Sequence, residues 1–258
     1  MTPRPLLVLD FDGVIVDGIS EYWWSSRKAC LELLGDQANA ESLPEVVPKA
    51  FRQLRPWVHH GWEMVLLAAE LIRPNSPLVL YGEQKFSKNY HLHCQSALES
   101  WKWDPNKLQL ALENVRRQAI SDNRESWLAS HKAFPGVPQR LNQLNSEGYE
   151  FAVLTTKSAE FTAELLNHFQ IEPNLLYGHE SGTKPNVLLE LSKNHVLRGF
   201  IEDRLATLDS IVNSNQLNFL PCYLASWGYL KDEDRESLHP NIHLLDIKTF
   251  LAPLASWP

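Results

Sequence analysis

The sequence lacks several features that would place it in a specialised class of protein. It has only three cysteines among 258 residues, and their spacing matches no CxxC or Cys/His metal pattern. No apolar run approaches the roughly 20 residues of a membrane-spanning helix, and the N-terminal apolar segment is too short for a signal peptide. We therefore expect a cytoplasmic protein in a reducing compartment, with no membrane partner.

An excess of positive charge is also absent. Lysine and arginine number 24 against 31 acidic residues, which gives a formal net charge of -7, and the basic residues are scattered along the chain. This pattern gives no support to nucleic-acid binding, although a locally positive pocket remains compatible with an anionic substrate. With 44% hydrophobic and 21% charged residues, the composition is that of an ordinary globular chain able to bury a full core.

Tryptophan, in contrast, is abundant and unevenly placed. Seven of the nine tryptophans lie between residues 23 and 127. Across this region apolar residues recur at helical spacing, and no strand pattern is evident. One such series is Leu108, Leu112, Val115 and Ala119.

The two ends of the chain show a different pattern. Residues 6–9 form a continuous Leu/Val run that ends in Asp10, which predicts a buried parallel strand. After residue 134, short apolar runs alternate with helical patterns to the end of the chain. The predicted strands there are 150–154, 175–177, 199–202, 219–225 and one starting near 243, and the predicted helices are 138–147, 159–168, 185–194, 204–214 and one ending near 254.

This order predicts an α/β fold in which a Rossmann-like, doubly wound parallel sheet forms the core and an α-helical domain is inserted after the first strand. The predicted core is 1–17 plus 133–258, and the predicted insertion, 18–132, is a cap. Ligands of such sheets bind outside the carboxyl ends of the strands. Because the insertion leaves from one such end, we expect it to begin at the rim of the site.

Polar residues follow the predicted strands at this edge. They are Asp10 and Asp12, Thr155 to Lys157, Lys184, and Glu202 with Asp203. A carboxylate can attack phosphorus, carboxylate oxygens hold Mg²⁺, and a lysine with a hydroxyl balances the charge of a phosphoryl group. We expect Gly13 to turn the chain, so that Asp10 attacks and binds metal while Asp12 transfers protons.

These residues also carry a resemblance to a known family. Four segments resemble, in order, the four motifs of the haloacid dehalogenase-like superfamily, and the helical block between the first two resembles its C1 cap. The segments are Asp10–Val14, Val153–Thr155, Lys184–Pro185 and Glu202–Asp203. Two further segments are similar to parts of phosphoglycolate-phosphatase-like members: Phe134–Val137 and Trp227–Tyr229.

The resemblance implies roles for individual residues. Asp10 is implied to be the nucleophile, Asp12 the general acid/base, Thr155 the phosphate-binding hydroxyl and Lys184 the stabilising lysine. The implied magnesium ligands are Asp10, the backbone carbonyl of Asp12, and Asp203, with Glu202 as a possible helper. Two positions depart from the pattern: Thr207 stands where a second acid is frequent, and Thr156, beside the phosphate, stands where asparagine is frequent.

Substrate specificity is predicted to lie in the inserted domain. Arg55, His60 and Gly61 belong to a segment dense in polar and aromatic residues, and the glycine suggests a bend of the kind that reaches the active site in C1 caps. The alternative is that the histidine and the arginine are solvated and the neighbouring tryptophans merely pack between helices.

The function that the sequence favours is a magnesium-dependent phosphatase acting on a small phosphorylated metabolite through an aspartyl-phosphate, as a monomer or homodimer. A sugar phosphomutase using the same chemistry is the first alternative, and a non-catalytic binding or regulatory protein on the same fold is the second. Dehalogenation is disfavoured because it has no leaving oxygen for Asp12 to protonate.

Overall fold

The computed structural model describes residues 4–35, 43–236 and 238–258. The chain divides into two compact units. One unit, called here the α/β unit, comprises Met1–Asp17 and Lys132–Pro258, and the other, the helical unit, comprises Gly18–His131. No helix in the described part of the chain is both long and apolar enough to cross a membrane.

The described residues of the α/β unit form eight strands. They are β1 (Leu6–Leu9), β2 (Val16–Asp17), β3 (Lys132–Ala133), β4 (Glu150–Leu154), β5 (Leu175–Tyr177), β6 (Leu197–Glu202), β7 (Cys222–Ala225) and β8 (Ile242–Leu245). Six of them form one sheet of parallel pairs in the order β5-β4-β1-β6-β7-β8. Strands β2 and β3 form a separate antiparallel ribbon. The predicted doubly wound parallel sheet is confirmed.

Helices account for the rest of the regular structure. In the helical unit they are α1 (Ile19–Leu34), α2 (Lys49–Leu54), α3 (Gly61–Glu70), α4 (Pro77–Tyr81), α5 (Glu83–Lys88), α6 (Tyr90–Trp101) and α7 (Pro105–Ala129). In the α/β unit they are α8 (Val137–Gln143), α9 (Ala159–His168), α10 (Lys184–Asn194), α11 (Leu205–Val212) and α12 (Ile247–Leu251). The inserted helical region after the first strands, predicted from the 3.6-residue periodicity, is therefore confirmed.

The sheet is covered on both faces. Every residue of β1 is fully buried, which is why this strand is a continuous apolar run rather than an alternating one. On one face Leu6 and Val8 pack in a cluster with residues of α10 and α11, such as Leu188 and Leu208. Because side chains alternate along a strand, Leu7 and Leu9 point to the opposite face.

The strand order reverses at β1. From β1 the sheet grows through β4 to β5 on one side, and then through β6, β7 and β8 on the other. A crevice forms where such an order reverses, outside the carboxyl ends of the two central strands. Here those ends are Leu9 of β1 and Glu202 of β6, so the residues that follow them lie next to each other.

Local departures from the prediction have identifiable causes. The ribbon of β2 and β3 was not predicted, because two-residue strands have no readable periodicity. The seventh strand begins at Cys222 rather than at residue 219; Pro221 has no N–H to donate, and Phe219 is exposed. The helix predicted over 138–147 ends as α8 at Gln143 and continues as a 3₁₀ turn to Glu147.

Candidate active site

A tight turn follows β1 and sets the two aspartates apart. Gly13 has φ +87°, a backbone conformation that favours glycine. The carbonyl of Phe11 accepts hydrogen bonds from the N–H groups of Ile15 at 2.8 Å and Val16 at 3.1 Å. The turn that was predicted at Gly13 is present, and Asp10 and Asp12 consequently have different neighbours.

Asp10 lies beside Lys184 and Glu202. The Nζ of Lys184 is 2.9 Å from Asp10 Oδ1 and 2.6 Å from Glu202 Oε2. The N–H of Phe11 also donates to Asp10 Oδ1, at 2.8 Å. Lys184 is the first residue of α10, and all three charged side chains are buried. The first, third and fourth strand-end segments of the sequence are thus brought into direct contact.

Asp203 completes an acidic cluster. Asp10, Glu202 and Asp203 each offer a carboxylate oxygen, and these oxygens lie within 4.8 Å of one another. Glu202 Oε1 accepts the N–H groups of Asp203 and Arg204, both at 3.2 Å. Hard oxygen donors are the ligands that Mg²⁺ and Ca²⁺ take in proteins, so this cluster could hold a divalent metal.

The electrostatics of the cluster favour a cation. The pKa of Asp10 is raised to about 8: burial and the nearby Glu202 carboxylate raise it, and Lys184 opposes them. Burial likewise raises the pKa of Glu202. Burial by itself lowers the pKa of Lys184, but Asp10 and Glu202 outweigh that effect and the net pKa is raised. Three buried carboxyl groups face one buried ammonium, which leaves negative charge that a divalent cation would neutralise.

Asp12 lies outside the acidic cluster and has a cation of its own. Lys157 Nζ is 3.6 Å from Asp12 Oδ1, and the lysine is buried. Thr155, also buried, follows β4, and its Oγ1 accepts the N–H of Lys157 at 3.1 Å. Thr156, in contrast, is only half-buried. Lys157 was noted in the strand-end pattern but given no role; its position two residues after Thr155 was the available signal.

Thr207, which replaces the frequent second acid of the fourth motif, lies in α11. Its Oγ1 accepts a hydrogen bond from the guanidinium of Arg204 at 3.4 Å. A carboxylate at residue 207 would place a further acid in the first turn of α11. The acidic cluster is instead supplied by Asp10, Glu202 and Asp203.

Of the four residues predicted to contact substrate, Thr156 follows β4 in the α/β unit, and Arg55, His60 and Gly61 belong to the helical unit. His60 directly precedes α3 and Gly61 begins it; the His60 ring stacks on that of Trp62 at 6.4 Å. A Cβ at Gly61 would meet Leu112 at 2.9 Å, so the glycine permits close packing of α3 on α7. The Arg55 guanidinium lies 5.2 Å from the centre of the Tyr22 ring. Contact of these residues with substrate stays a prediction.

Comparison with known proteins supports the same family. A family model described as haloacid dehalogenase-like hydrolase matches residues 68–186, a range that includes Thr155 and Lys184 but not the first or fourth motif. No curated protein sequence matches the chain.

Solved structures match over nearly the whole length. A predicted phosphatase from Clostridium acetobutylicum has a TM-score of 0.58 at 15% identity, and the match covers 97% of each chain. A predicted phosphoglycolate phosphatase from Haemophilus somnus 129pt has a TM-score of 0.56 at 15% identity, covering 94% of this chain and 95% of the other. A haloacid dehalogenase-like family hydrolase from Streptococcus pneumoniae has a TM-score of 0.52 at 16% identity, covering 95% of both chains.

At these identities the structural matches establish the fold alone. Residues 68–186 are similar to the haloacid dehalogenase-like hydrolase family, and the chain has the fold of the matched structures, with a C1-cap-like helical insertion after its first strands.

Proposed function

We propose that the protein is a magnesium-dependent phosphatase that hydrolyses a small phosphomonoester through a phosphorylated Asp10. The observation that carries this proposal is the contact of Lys184 with both Asp10 and Glu202 inside a cluster of three buried carboxylates. A structural role alone would not favour so many buried charges, because burying charge is costly unless it is fully paired.

In the first step an Asp10 carboxylate oxygen attacks phosphorus and the ester oxygen leaves, taking a proton from Asp12. Lys184 and the hydroxyl of Thr155 balance charge on the transferring phosphoryl group. In the second step Asp12 removes a proton from water, the water oxygen attacks phosphorus, and inorganic phosphate leaves Asp10 as a free carboxylate.

Asp10, Glu202 and Asp203 would hold the magnesium ion, with the Asp12 carbonyl proposed as a further ligand. When bound, the ion neutralises phosphate charge and orients the phosphoryl group. Lys157 Nζ lies 3.6 Å from Asp12 Oδ1. This contact keeps the Asp12 side chain apart from the metal-binding carboxylates and available for proton transfer.

Hydrolysis of p-nitrophenyl phosphate with and without Mg²⁺ tests the reaction. Wild-type protein should release p-nitrophenol only with Mg²⁺, and Asp10→Asn should abolish release. Asp232→Asn, an exposed aspartate of the same unit, is the matched control and should remain active. If wild type shows no Mg²⁺-dependent release above that of Asp10→Asn, the proposal is refuted and a non-catalytic binding protein is favoured.

A panel of small phosphorylated metabolites tests the substrate class. It should include phosphoglycolate, because one structural neighbour is a predicted phosphoglycolate phosphatase, and sugar phosphates, because release of inorganic phosphate separates a phosphatase from a phosphomutase. His60→Ala and Arg55→Ala should change the order of preference across the panel more than they change hydrolysis of p-nitrophenyl phosphate. An unchanged order would assign both residues to solvent exposure or helix packing.

A further inference from the structure

The segment Trp227–Tyr229 contacts the turn after β1 and Asp203, which follows β6. It has no part in the reaction proposed above. It follows β7 and packs on the turn after β1: the indole Nε1 of Trp227 donates to the carbonyl of Val14 at 3.0 Å. The Trp227 ring also packs against Phe250, with ring centres 5.2 Å apart. The segment is therefore anchored at its first residue.

Asp203 is enclosed by this segment and by Gly13. A Cβ at Gly13 would lie 1.8 Å from Asp203 Oδ2, and a Cβ at Gly228 would lie 2.3 Å from the Asp203 Cβ. The backbone N–H of Tyr229 donates to Asp203 Oδ2 at 2.8 Å. The carboxylate of Asp203 thus accepts a hydrogen bond from Tyr229 and lies closely against two glycines, where a side chain would collide with it.

The side chain of Tyr229, unlike its backbone N–H, contacts strand β2. Its hydroxyl donates to Asp17 Oδ1 at 2.5 Å, and Asp17 is the last residue of β2. Strand β2 pairs with β3 through Val16 with Ala133 and Asp17 with Lys132. Both chain connections between the two units run directly from this ribbon, at residues 17–18 and 131–132.

We propose that Tyr229 is a positioning residue that couples the orientation of Asp203 to the β2–β3 ribbon. Its main chain holds the carboxylate and its hydroxyl holds the ribbon, so a shift of one displaces the other through a single residue. Partners that orient metal ligands contribute about 10–100-fold to metal affinity. By thermodynamic reciprocity, metal bound at Asp203 must then order the ribbon as much as the ribbon favours metal binding.

Tyr229→Phe tests this inference, which rests on the proposed function for its metal. This change removes the hydroxyl and keeps the backbone N–H. Titration calorimetry with Mg²⁺ alone should show about tenfold weaker binding than wild type. Hydrogen exchange of the amides of residues 16–17 and 132–133 should slow on adding Mg²⁺ in wild type, and this protection should be lost in the variant.

Two further variants make the result decisive. Tyr149→Phe is the matched control, since Tyr149 precedes β4 at the opposite edge of the sheet, and it should behave as wild type. Asp17→Ala should weaken Mg²⁺ binding as much as Tyr229→Phe does, and the double variant should lose no more, because both changes break one contact.

The outcomes separate this inference from the function on which it rests. If wild-type protein binds no Mg²⁺, the proposed function fails. If wild type binds Mg²⁺ and Tyr229→Phe matches Tyr149→Phe in both affinity and amide protection, the positioning role of Tyr229 is overturned while the proposed function stands. Additive losses in the double variant would also overturn the coupling.

Discussion

The helical unit contains a buried ion pair. Removing only its cation should lower the free energy of unfolding much more than removing both of its charges. Arg116 donates to Glu21 through two parallel bonds, Nε to Oε1 and Nη2 to Oε2, both 2.8 Å long. Both side chains are almost completely buried. The indole N–H of Trp127 also donates to this carboxylate, at 3.3 Å, and His131 Nε2 lies 3.6 Å from Glu21 Oε2.

Arg116→Met leaves the Glu21 carboxylate buried without its cation, which costs about 3–5 kcal/mol of the free energy of unfolding. In Glu21→Leu/Arg116→Met both charges are gone, and the cost should fall to about 1 kcal/mol or less because an apolar pair needs no desolvation of charge. Arg117→Met is the control in the next residue of α7: its pair with Glu113 is partly exposed, at 3.2 Å, and should contribute about 0–1 kcal/mol.

Urea denaturation followed by tryptophan fluorescence measures these differences. Seven of the nine tryptophans belong to the helical unit, so the signal reports on it. With a slope of about 2 kcal/mol/M, the midpoint of Arg116→Met should fall by about 1.5–2.5 M. A double variant as unstable as Arg116→Met would refute the reasoning, because the cost would then come from lost packing and not from an unpaired charge.

Three other predictions concern the α/β unit and the cysteines. Asp12→Asn should lower kcat about 10²–10⁴-fold with little change in Mg²⁺ affinity. Asp203→Asn should weaken Mg²⁺ binding at least about tenfold. An equal loss of Mg²⁺ affinity in both variants, measured by calorimetry, would contradict this division of roles. Hydrogen bonds from Arg140 lower the pKa of Glu147 below 4.5. This pair therefore stabilises the fold fully above pH 4.5 and less as the pH falls through the lower pKa, so Glu147→Gln should cost about 2 kcal/mol in urea unfolding at pH 7 and little at pH 3. If Glu147→Gln lowers the free energy of unfolding equally at pH 3 and pH 7, the charge of Glu147 is excluded as the source of the effect. Burial raises the pKa of all three thiols to about 12. A thiol reagent at pH 8 should therefore label the protein only after denaturation. Rapid labelling of the native protein would contradict the burial of the thiols. The thiols are Cys30, Cys94 and Cys222.

Much of the fold follows from local sequence. The apolar run of residues 6–9 predicted β1 with its observed bounds, because a strand buried on both faces needs apolar residues at every position. The helical segment predicted to end at residue 147 does end there, and Gly148, which follows it, has φ +85°. Alternating strands and helices predicted the parallel sheet, since a parallel crossover needs a helix.

Contacts between distant residues were not readable in this way. The pairing of β2 with β3 joins residues more than a hundred positions apart, and two residues carry no period. The bond between Glu21 and Arg116 spans 95 positions, and the bonds of Tyr229 to Asp17 and Asp203 span 212 and 26. Each depends on how elements pack, and packing is decided by the whole chain.

The sequence by itself determined which chemical groups stand at the ends of the strands, because each motif lies within a few residues of a periodic apolar run. Only the tertiary structure decided which of them meet. In the folded chain Lys184 lies between Asp10 and Glu202, and Asp12 lies beside Lys157 rather than in the acidic cluster. The physical reason is that strand order, which brings β6 beside β1, is set by burial of the entire sheet and not by any local segment.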